Sequence, residues 1–312
     1  MAPEPPLLAL VGPTASGKTE AAIELALGFG ADIVSVDSML VYRGMDLGTA
    51  KPTAAQRARV PHHLIDLAEP SGPFSVARYQ ALGLVALADL ETRGRPALLV
   101  GGSGLYFRSL VDDLEFPGTD PATRGELEAE ASVVGAERLY RRLAEIDPVA
   151  AAKIEPGNVR RTVRALEVAA ITGRLFSSYA GAWERYSVDR VRVAGVRVPP
   201  ELLRARIGSR VIAMVDEGFL DEVRGLLGRG FGGWLTSTQA IGYAEFAAHL
   251  GGRLTLDEAV ERTVSRTRHL ARRQSAWFRR DPRIRWFETG AGGALDVLED
   301  VRAYLGEAPG TA

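Results

Sequence analysis

The sequence predicts an α/β protein, a P-loop NTPase-like parallel sheet with flanking helices and an inserted helical subdomain. Three observations carry this. Short apolar runs alternate with helical stretches over the first 116 residues. The first run, Leu7–Val11, leads directly into Gly12, Pro13, Thr14, Ala15, Ser16, Gly17, Lys18 and Thr19, the pattern G-x-x-x-x-G-K-[ST]. From Pro117 onward the strands give way to helices separated by Gly and Pro.

The elements follow in order. Leu7–Val11 is short and apolar, as a buried strand requires, and a helix opens at Lys18 and runs to Gly28. Residues 33–36 form a second strand, 75–92 a helix and 97–100 a third strand. Ligands of such sheets sit beyond the carboxyl ends of the strands. The P-loop, Asp37 and Gly101-Gly102-Ser103-Gly104 all fall there, so they should converge. Helices near 121–131, 137–145 and 158–172 then form the insertion, residues 117–187, between core segments 1–116 and 188–312. Residues 191–198 return to the sheet as a strand. Beyond Pro200 the chain is mostly helical, at 201–216, 218–227 and in a long Arg-rich helix at 256–279. The ends, through Pro6 and after Glu307, are expected to fray.

Composition narrows the class. With 312 residues, 46% hydrophobic and 25% charged, the chain can bury a substantial core. A formal net charge of −1 argues against a surface that grips nucleic acid everywhere. Local charge differs, because nine Arg face one acidic residue, Asp281, between 262 and 285, and Arg160, Arg161 and Arg164 form a second cluster. One such run reads equally well as a solvated helix face; two beside a P-loop point to a polyanionic partner. The absence of cysteine excludes disulfides, thiolate metal sites and Cys nucleophiles. No apolar run approaches a bilayer span, and Met-Ala-Pro-Glu-Pro-Pro is unlike a signal peptide. A cytoplasmic protein without a membrane partner is expected, and nothing demands more than a monomer.

The P-loop predicts the chemistry of the pocket. Its backbone N–H groups and the dipole of the following helix address one phosphate, Lys18 places an ammonium on it, and the Thr19 hydroxyl is suited to Mg²⁺. Lysine is scarce here, only Lys18, Lys51 and Lys153, so its place in the motif is not background. Such loops usually serve nucleotide phosphates such as those of ATP, yet the strand at 97–100 ends in Gly-Gly-Ser rather than the Asp that often holds the metal. The Asp-x-x-Gly and Asn-Lys-x-Asp segments of GTPases are absent, and Asp112-Asp113-Leu114-Glu115-Phe116 lacks the last carboxylate of an Asp-rich diphosphate site. Asp37, following the second strand, either accepts a proton in the pocket or caps the next turn. His62 and His63 with Asp66 suggest a metal, but neighbours on an extended segment point to opposite faces, which favours a structural pair.

The run from Asp37 through Ser38, Met39, Leu40, Val41, Tyr42 and Arg43 to Thr49-Ala50-Lys51-Pro52 closely resembles the signature of the tRNA dimethylallyltransferases, in the bacterial type without a C-terminal zinc finger. Further stretches agree in order: Pro61 to Asp66, Gly101 to Tyr106, Arg164 to Val168, Ile241-Gly242-Tyr243 and Thr267 to Gln274. The resemblance spans roughly 7–288. It implies transfer of the dimethylallyl group from dimethylallyl diphosphate to N6 of adenosine 37 in the anticodon stem-loop of tRNAs that read codons beginning with U. Asp37 then matches the base, the P-loop, Lys18 and Mg²⁺ on Thr19 cradle the leaving diphosphate, and Ser103, where the family usually has Thr, is catalytic and meets the tRNA.

Family assignments also place tRNA contacts at Asp37, Ser38, Met39 and Leu40, at Arg124, and at Arg160, Arg161, Thr162, Val163 and Arg164. Leu40 stands where many members carry Gln, so either a neighbour such as Ser38 or the backbone reads the base, or recognition is looser. His269 replaces a frequent Gln, and Gln239 sits where some relatives have an Arg near the diphosphate. Arg268, Arg272 and Arg273, at near-helical spacing, are open between core, diphosphate and tRNA. Trp277, Phe278, Trp183 and Tyr179 are open between stacking on bases and the core. A small-metabolite P-loop kinase and a non-catalytic RNA-binding protein are the competing classes.

Overall fold

A computed structural model describes residues 7–307, so the expected fraying of the two ends lies outside the described residues. The chain divides into two compact units, one holding the chain through Val111 and again from Ser187, the other Asp112–Tyr186. The insertion therefore begins at Asp112, five residues before the break to helix at Pro117.

In the first unit, β1 (Leu7–Val11), α1 (Lys18–Phe29), β2 (Asp32–Ser35), α2 (Ala54–Arg59), β3 (His62–His63), α3 (Val76–Thr92), β4 (Ala97–Gly101) and α4 (Gly104–Val111) come first. The second unit contributes α5 (Pro121–Val134), α6 (Ala136–Ile146), α7 (Pro148–Ala151) and α8 (Val159–Thr172). The first unit resumes with β5 (Val191–Arg197), α9 (Pro200–Asp216), α10 (Phe219–Gly228), α11 (Tyr243–Leu250), α12 (Leu256–Phe278), β6 (Ile284–Glu288) and α13 (Leu298–Gly306). Six strands pair in parallel in the order β3-β2-β4-β1-β5-β6. The connections reverse direction about β1, the place where open α/β sheets hold their ligands.

Successive residues of each strand supply opposite faces of the sheet. Leu99, Val34 and Val193 join Tyr79, Phe107 and Phe246 on one side. Leu98, Ile33 and Val196 join Ile23, Leu25 and Val301 on the other. Fully buried side chains of this size each contribute roughly 1.5–3 kcal/mol. Burial on both faces is why β1 and β4 read as continuous apolar runs rather than alternating ones.

The second unit has its own core, in which Leu127, Leu139, Leu143, Val163 and Leu166 meet. Its helices start where the sequence provides caps: Asp120 accepts from the Thr123 amide and Asn158 from that of Arg161. Among the described residues no helix is long and apolar enough to cross a membrane.

Candidate active site

The P-loop turns between β1 and α1. Gly17 takes the left-handed conformation at φ 82°, and Ala15 does so too, at φ 62°. At Gly12 a Cβ would lie 2.7 Å from Val196, so only glycine lets the loop pass that close to β5. Ser16 is buried, and its carbonyl accepts the Ala294 amide at 2.9 Å, which braces the loop from the C-terminal segment. The Lys18 ammonium folds over its own loop, donating to the Pro13 carbonyl at 2.6 Å and to Ser16 Oγ at 3.1 Å.

Residues Thr14 to Thr19 line a cradle whose far wall is made by Ile33, Ser35, Leu40, His62 and Ile65. Gly12 and Pro13 lie outside it; Pro13 borders a separate groove. A second, larger chamber adjoins the cradle. It is lined by Ser38, Met39, Ser103, Leu105, Phe219, Gln239, Arg266, His269, Arg273 and Trp277, among others. Thr14, Asp37, Thr49, Gly102, Arg210 and Gln274 line both spaces, so Asp37 sits at their junction.

Asp37 is held by its own turn, the Met39 amide donating to Oδ1 at 2.9 Å. Enclosure in the cleft raises its carboxyl above the ordinary 3.8, against the pull of the Met39 amide, Lys18 and Arg210. Enclosure also pushes the Lys18 ammonium down to about 7; the Asp37 charge opposes this and Arg210 adds to it. Arg210, from the middle of α9, is lowered by burial and steadied by Asp37, and it donates to Thr14 Oγ1 at 3.4 Å. Two basic side chains thus flank a carboxylate at the junction of cradle and chamber.

The signature segment after Asp37 is locked by charges below it. Lys51, its side chain 1% exposed, donates to the Tyr42 carbonyl at 2.7 Å, to Asp46 at 2.5 Å and to Asp66 at 2.7 Å. Glu222 on α10 accepts the amides of Asp46 at 2.9 Å and Leu47 at 2.8 Å. Gly48 packs so tightly that a Cβ would lie 2.4 Å from Phe219. Within the segment the Thr49 hydroxyl donates to the Met45 carbonyl at 2.6 Å.

Other residues singled out in the sequence are distributed as follows. Ser103 caps α4 weakly, its Oγ accepting the Tyr106 amide at 3.4 Å, and faces the chamber. Leu40 lines the cradle rather than the chamber that holds Ser38 and Met39. The register of β3 on β2 separates the histidines: His62 lies beside Ile33, and His63 Nε2 meets Asp32 Oδ2 at 2.9 Å on the other face. Asp66 is occupied by Lys51 and Arg57. Arg268 and Arg272 border the groove with Pro13 and Trp286, whereas Arg273 faces the chamber. Trp277 is a chamber wall and Phe278 is buried; Trp183 meets Phe116 edge-on, and Arg174 lies over the Tyr179 ring.

Within the second unit, Arg124 and Arg164 both pair with the buried Glu167, at 2.6 and 2.8 Å. Arg164 also donates to the Pro117 and Gly118 carbonyls. Thr162 and Val163 are buried, so Arg160 and Arg161 are the exposed members of that cluster. Arg210, Gln274 and Glu222 are the site residues that sequence reasoning does not single out by role. Of the three, only Gln274 lies within a recognisable motif, the stretch from Thr267.

Comparison with known proteins places this geometry. The family model IPP transferase matches residues 40–281. A tRNA dimethylallyltransferase of Roseiflexus castenholzii is 50% identical over 306 residues, covering 96% of this chain and 97% of the relative. One from Kineococcus radiotolerans is 48% identical over 309 residues, covering 97% and 96%. The crystal structure of a full-length tRNA isopentenylpyrophosphate transferase from Bacillus halodurans superposes with a TM-score of 0.68 at 38% identity, covering 97% of both chains. The fold is also that of a eukaryotic dimethylallyltransferase acting on tRNA, with a TM-score of 0.80 at 24% identity, covering 95% of this chain and 77% of that one.

Proposed function

The chain belongs to the IPP transferase family, and on that premise we propose that it transfers the dimethylallyl group of dimethylallyl diphosphate to N6 of adenosine 37 in tRNAs reading codons that begin with U, releasing diphosphate. The observation that carries this reading is the position of Asp37, on the shared wall of a phosphate cradle and a larger chamber. A kinase needs an acceptor beside its phosphate. Here the space beside the cradle is broad and apolar enough, with Met39, Leu105, Phe219 and Trp277, for a prenyl chain and a base flipped out of an anticodon loop.

In this reading N6 attacks the allylic carbon as its bond to the bridging diphosphate oxygen breaks. The N6 proton passes to the Asp37 carboxylate, whose raised proton affinity strengthens it as a base. The electron pair leaves with the diphosphate, whose growing charge meets Lys18, Arg210 and the loop amides. The cradle fits Mg²⁺: Thr19 offers a hard oxygen donor, and the buried Ser35 hydroxyl on the far wall lacks a protein partner. When bound, the ion would add positive charge against the leaving group. The family's work on tRNA supports a cytoplasmic enzyme.

The test is direct. Incubation with labelled dimethylallyl diphosphate, Mg²⁺ and an unmodified anticodon stem-loop should place label on the adenosine next to the anticodon. Label appearing instead from the γ-phosphate of ATP, with no prenylated adenosine, would sink the proposal.

A further inference from the structure

The far wall of the cradle contains a polar pair that takes no part in moving the prenyl group or the proton. Ser35, the last residue of β2, is 3% exposed, and its Oγ has no hydrogen-bond partner. Its own carbonyl is occupied, accepting the Tyr79 hydroxyl at 2.7 Å. A buried hydroxyl without a partner forfeits the hydrogen bonds it made in water, so its retention beside a ligand cleft points to a partner that arrives with the ligand.

His62 stands on the same face. The parallel register pairs it with Ile33, and side chains two apart along β2 share a face, so Ile33, Ser35 and His62 all line the cradle. The ring is oriented: Nδ1 lies 2.7 Å from the Val60 carbonyl. A carbonyl only accepts, so Nδ1 carries the hydrogen and Nε2 of the neutral ring keeps its lone pair. That lone pair repels a phosphate oxygen and suits a donor. Water bound to a cation is such a donor, and Thr19 lines the same cradle.

We propose that Ser35 and His62 are positioning residues that accept hydrogen bonds from the water shell of the Mg²⁺ ligated by Thr19. This rests on the magnesium reading given above. It also fits the Gly101-Gly102 end of β4 and the turn after it, which carry no Asp: neutral acceptors on β2 and β3 do the work that an Asp on that strand often does in P-loop enzymes.

The test measures Mn²⁺ affinity by the electron paramagnetic resonance signal of free Mn²⁺, in the presence of saturating inorganic diphosphate. Wild type should bind Mn²⁺, and Thr19→Ala should lose it. Ser35→Ala and His62→Leu should each weaken it about tenfold or more, with Ser35→Cys as a second probe of the hydroxyl. A structural role would behave differently in the ligand-free protein. There, Ser35→Ala removes an unpartnered buried hydroxyl and should leave Tm unchanged or raised. Wild-type Mn²⁺ affinity in Ser35→Ala and Ser35→Cys would overturn the proposal, as would a fall of several degrees in the ligand-free Tm of Ser35→Ala. Absence of diphosphate-dependent Mn²⁺ binding by wild type would instead remove the magnesium reading itself, and this proposal with it.

Discussion

The backbone amide of Thr14 donates to Oε1 of Gln274 at 2.8 Å, joining the P-loop to helix α12 across 260 positions of sequence. Gln274 also lies over the glycine turn after β4, where a Cβ on Gly102 would come 2.3 Å from its Nε2. One side chain therefore sets the spacing of the two loops that border the cradle.

Gln274→Ala should loosen that spacing. Loss of one neutral hydrogen bond, about 1 kcal/mol, corresponds to roughly a fivefold rise in the KM for the allylic diphosphate. Steady-state kinetics at saturating RNA would show it. An unchanged KM would mean that the loop is held in place without α12.

A methyl group at Gly104 would overlap the Trp277 indole, whose nearest ring atom lies 1.9 Å from where that carbon would stand. Because Trp277 is a chamber wall, Gly104→Ala must move the ring into or away from the chamber. Overpacking of this kind costs about 1–3 kcal/mol. The variant should unfold at lower temperature and have a reduced kcat/KM for RNA. Normal values of both would show that the indole yields without cost.

Arg210 lines both cradle and chamber, near Thr14 and Asp37. Removing one group that meets developing charge typically lowers kcat by about 10²–10³. We expect Arg210→Ala to fall in that range and Arg210→Lys to recover only part, since an ammonium cannot address two partners in one plane. Rapid-quench single-turnover rates would separate this from slower product release. An Arg210→Ala rate within a fewfold of wild type would take the residue out of the reaction.

Glu167 organises the second unit. Burial alone would raise its carboxyl, but Arg124, Arg164 and the Asp120 amide hold it below the ordinary 4.5. This contribution to stability is therefore fully present above pH 4.5 and is lost as pH falls through the lower folded-state value. Glu167→Gln should cost about 1.5–3 kcal/mol at pH 7 and less at pH 3, below the ordinary value that the unfolded carboxyl keeps. Urea unfolding of both proteins at the two pH values would reveal this narrowing. A constant difference would assign the loss to packing.

Much of this is legible in the sequence because it is local. The P-loop is eight consecutive residues between a strand and a helix, and Asp37 directly follows β2, so both can be placed at one sheet edge from the sequence. The strands β1, β2, β4 and β5 fall within one residue of their expected bounds because their apolar runs end in turns. By contrast β3, two residues long, and β6, Ile284–Glu288, escape a reading by pattern. The first has too few residues for a pattern, and the second follows an Arg-rich helix with charged residues in its own alternation. Arg210 and Glu222 escape it for another reason: each lies on an unremarkable helix and acquires a role only when that helix packs beside the signature loop. Arg124 and Arg164 show the converse. Arg164 belongs to a charge cluster that points to an outside partner and Arg124 is assigned to tRNA by resemblance; the pairing of both with the buried Glu167 appears only in the fold.

In the proposed transfer, Asp37 accepts the proton of the attacking amine from the junction of cradle and chamber. Single-turnover prenylation of an anticodon stem-loop by Asp37→Asn, measured across pH beside diphosphate affinity, tests it most directly. The rate should drop about 10²–10⁴-fold with diphosphate affinity nearly intact, and the wild-type loss of rate on acidification, centred above pH 3.8, should disappear. A near wild-type rate with the same acid limb would show that another group takes the proton.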